Sequence, residues 1–474
     1  MKSFEVTGKF WLPHAPEKKY WGQLMFSPGS GVEVIIEGNL VSEKRRPPVL
    51  VGTLYGQLYN GAICSIFDVA CGVETYYAGE QLHQTRCDAR SMIDGIHCLS
   101  PAECKLENIQ VKLTQLNRWF EPPYEVNPGE EENQSDELTF NPSELVCEIE
   151  FRGVKVKLSS FSRKWYGEIK SEGKNLNWNY DLVMQADSVH GLDWYFDLLS
   201  EVRKLFVFLI GAGVFVLRFI GGVSPRSHVT LYYPATVPRA LRYDADQFST
   251  RFEQNKEALR FLIPNWFAKS DSLRVVFDSY SELLCSDGTS PMTLLIRTIQ
   301  TLEHFYGIIW GQGEKYVAKG TYKQFLKWIG ENLPSELESI KLEEMKKLHE
   351  VKSLLLSRFG NLNDISLRSK LEKFISELPR FITETIFKDT FKDADHIKKF
   401  LDQLEATRHY HTHYDPKLKP KTFNEDTLEE VALVMWALLS YWLSVTLHAD
   451  IELARDIAEK AKEVMFLVGR TEKL

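Results

Sequence analysis

The stretch Ala406-Thr407-Arg408-His409-Tyr410-His411-Thr412-His413-Tyr414-Asp415-Pro416 decides how the C-terminal part of this chain is read. It closes an amphipathic run, Asp395 to Tyr410, and precedes a nearly continuous apolar one, Thr427 to Leu447, with a proline-marked turn between them. The same helical period extends outward over Pro291 to Ile309, Thr321 to Ile329, Ser335 to Arg358, Ser366 to Leu378 and Ile451 to Leu467. Beyond Ser286-Asp287-Gly288 turn signals become scarce, so residues 288–474 read as an all-α bundle. Glu429, Glu430 and several polar residues interrupt the run at Thr427 to Leu447, which therefore reads as the central helix of the bundle.

Ahead of residue 287 the pattern is different. From Phe4 to Val69 short alternating runs such as Val32-Glu33-Val34-Ile35-Ile36 are separated by Gly, Pro and Asn, which is the signature of strands and turns. Further strands are expected at Ile109 to Leu116, Leu145 to Phe151, Val154 to Phe161 and His228 to Tyr233, with an acidic surface loop at Glu125 to Asp136. Leu192 to Phe208 recurs at three and four residues and predicts a helix ended by Gly211 and Gly213, and a second helix is expected from Asp246 to Phe261. The fold class expected is thus α+β: a β-rich N-terminal domain over 1–287 with packed helices, then an all-α domain over 288–474.

Composition narrows the function. With 44% hydrophobic and 26% charged residues the chain reads as a globular protein, and its net charge of −8 excludes one that coats nucleic acid through bulk positive charge. The apolar run Leu205 to Leu217 spans 13 residues before Arg218, short of the roughly 20 that a membrane-crossing helix needs, so no membrane partner is expected. Met1-Lys2-Ser3-Phe4-Glu5 lacks the apolar core of a secretory leader, and a cytoplasmic location is expected. Seven cysteines at irregular spacing, without a Cys-x2-Cys pair, read as buried reduced thiols. A zinc site drawn from Cys64, Cys71, Cys87, His97, Cys98 and Cys104 is the open alternative. No Gly-x4-Gly-Lys-Ser/Thr and no Gly-x-Ser-x-Gly string is present, so a P-loop nucleotide site and a serine hydrolase of that type have no seat in the sequence.

The chemistry-bearing residues lie in the opening stretch, where three of the chain's 12 histidines fall within five positions beside an arginine. Metal-free cleavage of RNA needs a base for the ribose 2′-OH proton, an acid for the 5′-oxygen and a fixed cation for the phosphorane charge. Imidazole suits either proton role and guanidinium the cation. On a helix His409 and His413 share a face, whereas Arg408 and His413 stand about 140° apart, so either Arg408 reaches around the helix with its long side chain, at little cost, or the turn is distorted. A metal reading rests on Asp389, Asp393, Asp395, His396 and Asp415, but acidic residues before Ile397-Lys398-Lys399-Phe400 are what a helix start prefers, and no metal is expected.

Arg408-His409-Tyr410-His411-Thr412-His413 resembles the Arg-(Asn/Asp/His)-x3-His motif of HEPN ribonucleases, and the longer string through Pro416 resembles the ApeA branch of that superfamily. Gly8-Lys9-Phe10-Trp11-Leu12-Pro13 is similar to the segment that opens the β-rich N-terminal domain of ApeA proteins. His409 stands where that branch often has asparagine. The resemblance implies a dimer in which paired motif helices form one composite cleft. It implies cofactor-free endonuclease activity on RNA that leaves a 2′,3′-cyclic phosphate, and a role in abortive infection against phage. The N-terminal domain would then sense a phage-derived or infection-linked trigger. Arg408 and His413 are the expected catalytic residues, joined by His409; His411 and Tyr414 are expected near RNA, and Glu303, in the first helix of the bundle, near Arg408. The other reading left open by the residues is a non-catalytic dimeric module that holds a nucleotide or RNA on Arg408 and its histidines, with a partner-sensing N-terminal domain.

Overall fold

The computed structural model describes residues 3–41, 48–77, 81–120, 124–127, 137–140, 142–166, 176–224, 227–234, 248–286, 289–311, 319–332 and 365–470. The fold is α+β, with a β-rich N-terminal region and a helical C-terminal one. Two compact units divide it: the first holds Met1–Asp271, Tyr280–Asp287 and Leu447–Lys460, the second Ser272–Ser279, Gly288–Thr446 and Ala461–Leu474.

In the first unit β1 (Phe4–Trp11), β2 (Tyr20–Ser27), β3 (Gly31–Glu37), β4 (Val49–Leu58), β5 (Ile63–Tyr77) and β6 (Gln81–Ala89) run antiparallel in the order β5-β4-β1-β2-β3-β6, and β6 pairs back onto β5. The sheet therefore closes into a six-stranded barrel, which removes its free edges. Alternation along each strand sends Phe10, Leu24, Phe26, Val34, Ile36, Leu54 and Ile66 inward. Gly22 and Gly56 lie under the Phe10 ring: a Cβ on either would stand within about 3.1 Å of ring carbons, so the glycines make room for the aromatic plug.

The 15-residue β5 belongs to two surfaces. Its first half pairs with β7 (Ser91–Asp94) and its second with β6. The change falls at Asp68, whose φ of 56° and skipped register against β4 mark a bulge that bends the strand. From β7 the sheet continues through β15 (Ser227–Tyr232), β14 (Val216–Ser224), β8 (Lys105–Leu113), β13 (Leu176–Gly191), β12 (Val154–Tyr166) and β11 (Val146–Phe151). One face of this open part is apolar, with Val111, Leu158, Leu182 and Phe219 buried, and helix α2 (Leu192–Ile210) packs on it, the Tyr195 hydroxyl donating to the Glu107 carbonyl at 2.8 Å. As expected, Gly211 ends α2, in the left-handed conformation.

Several expectations need correction. The helix expected from Asp246 starts at Phe252 and runs to Ala268: the Ser249 amide and the Thr250 hydroxyl are engaged with the Ile210 and Leu209 carbonyls, and Arg251 is extended. Glu125 to Asn127, expected within the acidic loop, belong to a strand, Tyr124–Asn127, paired with Glu137–Phe140; the rest of that loop and the expected helix Ser335 to Arg358 lie outside the described residues. Cys71 and Cys87 were expected as thiols, yet they form a disulfide: the β5–β6 pairing sets them opposite each other, with Cα atoms 4.1 Å apart. Cys64, Cys98, Cys104 and Cys147 are buried thiols. His97, one of the zinc candidates, stacks on Tyr55 and bonds to the Gly56 carbonyl, and among the described residues no group of three or more His, Cys, Asp or Glu side chains converges as a metal set.

The second unit is helical: α5 (Pro291–Ile309), α6 (Lys319–Asn332), α7 (Leu367–Ser376), α8 (Arg380–Thr385), α9 (Ala394–His413) and α10 (Glu425–Thr446), with the end of α11 (Ile451–Arg470). α10 is long and apolar enough to cross a membrane by those measures alone, but 78% of its apolar window is buried, as the reading of a central bundle helix expected. It packs along α5, and the Trp442 indole donates to the Phe374 carbonyl of α7 at 3.1 Å. Phe374, Trp310 and Trp442 form one aromatic cluster that fixes α5, α7 and α10 together.

Candidate active site at the end of α9

α9 begins where Asp393 caps it, the carboxylate accepting from the Asp395 and His396 amides at 3.0 and 2.9 Å while its other oxygen meets the His396 ring at 2.8 Å. Of the acidic residues that suggested a metal, Asp393 is thus occupied with the helix end, and helix-start bonding holds its carboxyl below the ordinary range. The helix then runs three residues past the expected end, through the whole motif, and stops at Tyr414, which adopts a φ of 53°. Pro416 disfavours helix at the residue before it, Asp415, and the turn closes with the Tyr414 amide donating to the Tyr410 carbonyl at 2.7 Å.

The inward side of this last stretch is fixed by Thr407, buried, whose hydroxyl donates to the Gln403 carbonyl at 2.7 Å and accepts from the Phe423 amide at 3.0 Å. The segment after the helix is thereby tied back against α9, and it carries Lys417, Lys419 and Lys421, all exposed, close in sequence to the motif.

The outward side carries the candidate chemistry. The Arg408 guanidinium donates to Glu303 of α5 at 3.0 Å, and Lys370 of α7 meets the other oxygen of the same carboxylate at 3.3 Å. Glu303 therefore stands between two cations brought from different helices. Arg368 of α7 pairs with Asp402 of α9, a second link between those helices. His409 and His413 lie on one face with ring centroids 5.5 Å apart, and both are exposed. Arg408 turns toward Glu303 rather than along the histidine face. His411 packs edge-on to Tyr410, and its partial burial lowers its pKa below the ordinary imidazole value, which favours the neutral ring over a phosphate-binding cation. Tyr414 is 74% exposed, so packing into the bundle does not account for it.

Of the residues named from sequence, Arg408 and Glu303 are thus in contact, His409 and His413 are neighbours, and His411 and Tyr414 sit on the same closing turn. Lys370 was missed. It is 67 positions from Glu303, and nothing in its own helix distinguishes it from Lys373, so only the packing of α7 against α5 reveals it.

A family model described as ApeA N-terminal domain 1 matches residues 5–266, more than half of the chain, and one described as Apea-like HEPN matches residues 299–451. The chain is an ApeA-like HEPN protein. The second match takes in the C-terminal half of α5 and the whole of α7 and α9, and with them Glu303, Lys370 and the motif. No curated protein and no solved structure matches the chain. Membership places this ApeA-like HEPN protein in a family of abortive-infection effectors, and HEPN domains are generally ribonucleases.

Proposed function

We propose that this ApeA-like HEPN protein is a metal-independent endoribonuclease that acts in the cytoplasm during anti-phage defence, with Arg408 and His413 as its catalytic residues. The observation that carries the reading is the arrangement on α9: an arginine anchored by Glu303 beside two exposed, adjacent imidazoles. In the reaction the ribose 2′-oxygen bonds to phosphorus as its proton passes to an imidazole, and the bond from phosphorus to the 5′-oxygen breaks as a second acid protonates that oxygen. His413 serves one of these proton transfers, with His409 as its neighbour, and Arg408 balances the charge that builds on the phosphorane oxygens. A second copy of the chain, pairing its α9 against this one, supplies the facing half of the cleft.

The acidic net charge and the small extent of the basic site favour exposed single-stranded loops over long duplexes. Infection releases the activity through a trigger sensed by the N-terminal domain. The test is cleavage of total RNA and tRNA in EDTA, with infected-cell lysate added, by wild type beside His413→Ala. Wild type alone is expected to cut and to leave 2′,3′-cyclic phosphate ends; equal cleavage by the variant, or loss of cleavage in EDTA, overturns the assignment.

Glu303 acts in this scheme as a positioning residue. The pair is partly exposed and worth at most about 1 kcal/mol to folding, so Glu303→Gln should leave the melting temperature nearly unchanged. With Arg408 no longer held by a charge, the single-turnover rate is expected to fall roughly tenfold, partly restored in Glu303→Asp. An unchanged rate with an unchanged melting curve would reduce Glu303 to an ordinary surface ion pair.

A further inference from the structure

The open part of the N-terminal sheet has a second face, opposite the one that α2 covers, and its residues follow from the alternation of the same strands. Between the buried Ile109, Val111 and Leu113 of β8, the residues Gln110 and Lys112 point to this other side, as does Arg218 of β14, which is in register with Lys112. On β12, Phe161 stands opposite Asp181 of β13, and Arg163 opposite Asn179. These residues cross four neighbouring strands, a span of about 14 Å at the usual strand spacing.

They form one connected network. Asp181 is fully buried, and its Oδ2 accepts from Arg218 at 2.5 Å and from Gln110 at 2.6 Å. Arg163 reaches the Gln110 carbonyl oxygen at 3.4 Å, and the Lys112 ammonium donates to Asn179. Asp181 thus pairs directly with Arg218 and acts on Lys112 through its charge, while Arg163 joins the network by way of Gln110. Burial lowers the pKa of Lys112, and Arg218 lowers it further while Asp181 opposes them. At the edge of the row Phe161 is 44% exposed, with the Arg163 guanidinium 5.2 Å from its ring centre.

The buried carboxylate holds the Arg218 guanidinium and the Gln110 amide in place and offsets one of the three positive charges. The two charges left over lie beside a part-exposed aromatic ring, in a chain whose net charge is −8. We infer that this face of the sheet binds single-stranded nucleic acid, with Arg163, Lys112 and Arg218 on successive phosphates and Phe161 stacked on a base. The chemistry is that of stacking platforms flanked by cations, and a flat row 14 Å long suits a strand of about three nucleotides better than a small molecule, which requires a concave pocket. The inference does not depend on the nuclease reading, because its residues belong to the other compact unit.

The test uses the full chain and a fluorescent 2′-O-methyl oligoribonucleotide of about eight nucleotides, which has no free 2′-OH for transfer chemistry. Wild type and Arg408→Ala are both expected to bind it. Phe161→Ala is expected to weaken binding by roughly 10-fold or more, and Arg163→Ala to lower the slope of log affinity against log salt by about one. Both substituted side chains are exposed, so the sheet should fold unchanged, which circular dichroism checks. Binding lost in Arg408→Ala but unaltered in the two sheet variants would move the strand to the α9 site and overturn the inference. Displacement of the probe by a mononucleotide at equal concentration would assign the face to free nucleotides instead, and absence of binding by wild type would also overturn it.

Discussion

If the proposed ribonuclease reading holds, Arg408→Ala is expected to lower the single-turnover rate of RNA cleavage by about 10²- to 10³-fold, the cost of losing one group that stabilises charge in a transition state. The fold should barely register the change. Arg408 is only part-buried, and its removal leaves Glu303 still paired with Lys370 at 3.3 Å, so no buried charge is orphaned and the stability loss stays within about 1 kcal/mol. Arg408→Lys is the sharper version of the test. It keeps the charge but replaces a planar fork of five donors with a compact ammonium that cannot span two phosphorane oxygens. We expect Arg408→Lys to recover less than about one tenth of the wild-type rate. Near-complete recovery would argue for a site that merely holds an anion, as in the non-catalytic binding module, and a wild-type rate in Arg408→Ala would remove Arg408 from the chemistry altogether.

Phe10→Ala carries the largest expected effect on stability, about 3 to 5 kcal/mol. Phe10 is fully buried in the barrel, and its ring fills the space over Gly22 and Gly56, so truncation leaves a void that these two glycines have no side chain to fill. The denaturant midpoint of the N-terminal transition, followed by near-ultraviolet circular dichroism, reads the loss. A shift equivalent to less than about 1 kcal/mol would mean that the barrel interior collapses around the cavity. The companion change Gly56→Ala should also destabilise, because its Cβ would lie 2.6 Å from the Cys64 sulfur and 2.9 Å from the Phe10 ring.

Local pattern was enough wherever one element's own spacing determines its structure. Pro291–Ile309 was legible to the residue, because Ser290 caps it, Pro291 suits a first turn and the apolar stripe is regular. β13 escaped notice: its stretch is rich in polar residues, since one face is the polar network around Asp181, and its pairing is interrupted between Gln185 and His190. β6 and β7 were missed as well, being strands whose partner, β5, changes along its length at Asp68. For the same reason the Cys71–Cys87 bond was invisible: 16 positions apart, the two cysteines become neighbours only through the β5–β6 register.

At the candidate site the division is similar. Composition, period and the run from Arg408 to His413 were sufficient to determine an α+β chain with a helical C-terminal region, and to single out the arginine and histidines, because residue chemistry and helical spacing are properties of contiguous sequence. The acidic partner of Arg408 was named from the sequence only through a resemblance. Its contact, the second cation at Lys370, the closure of the barrel by β6 on β5 and the gathering of Phe161, Arg163, Lys112 and Arg218 on one sheet face were decided by tertiary structure. Each joins residues on different helices or strands, and which faces meet is settled by the packing of buried apolar surface rather than by any local preference.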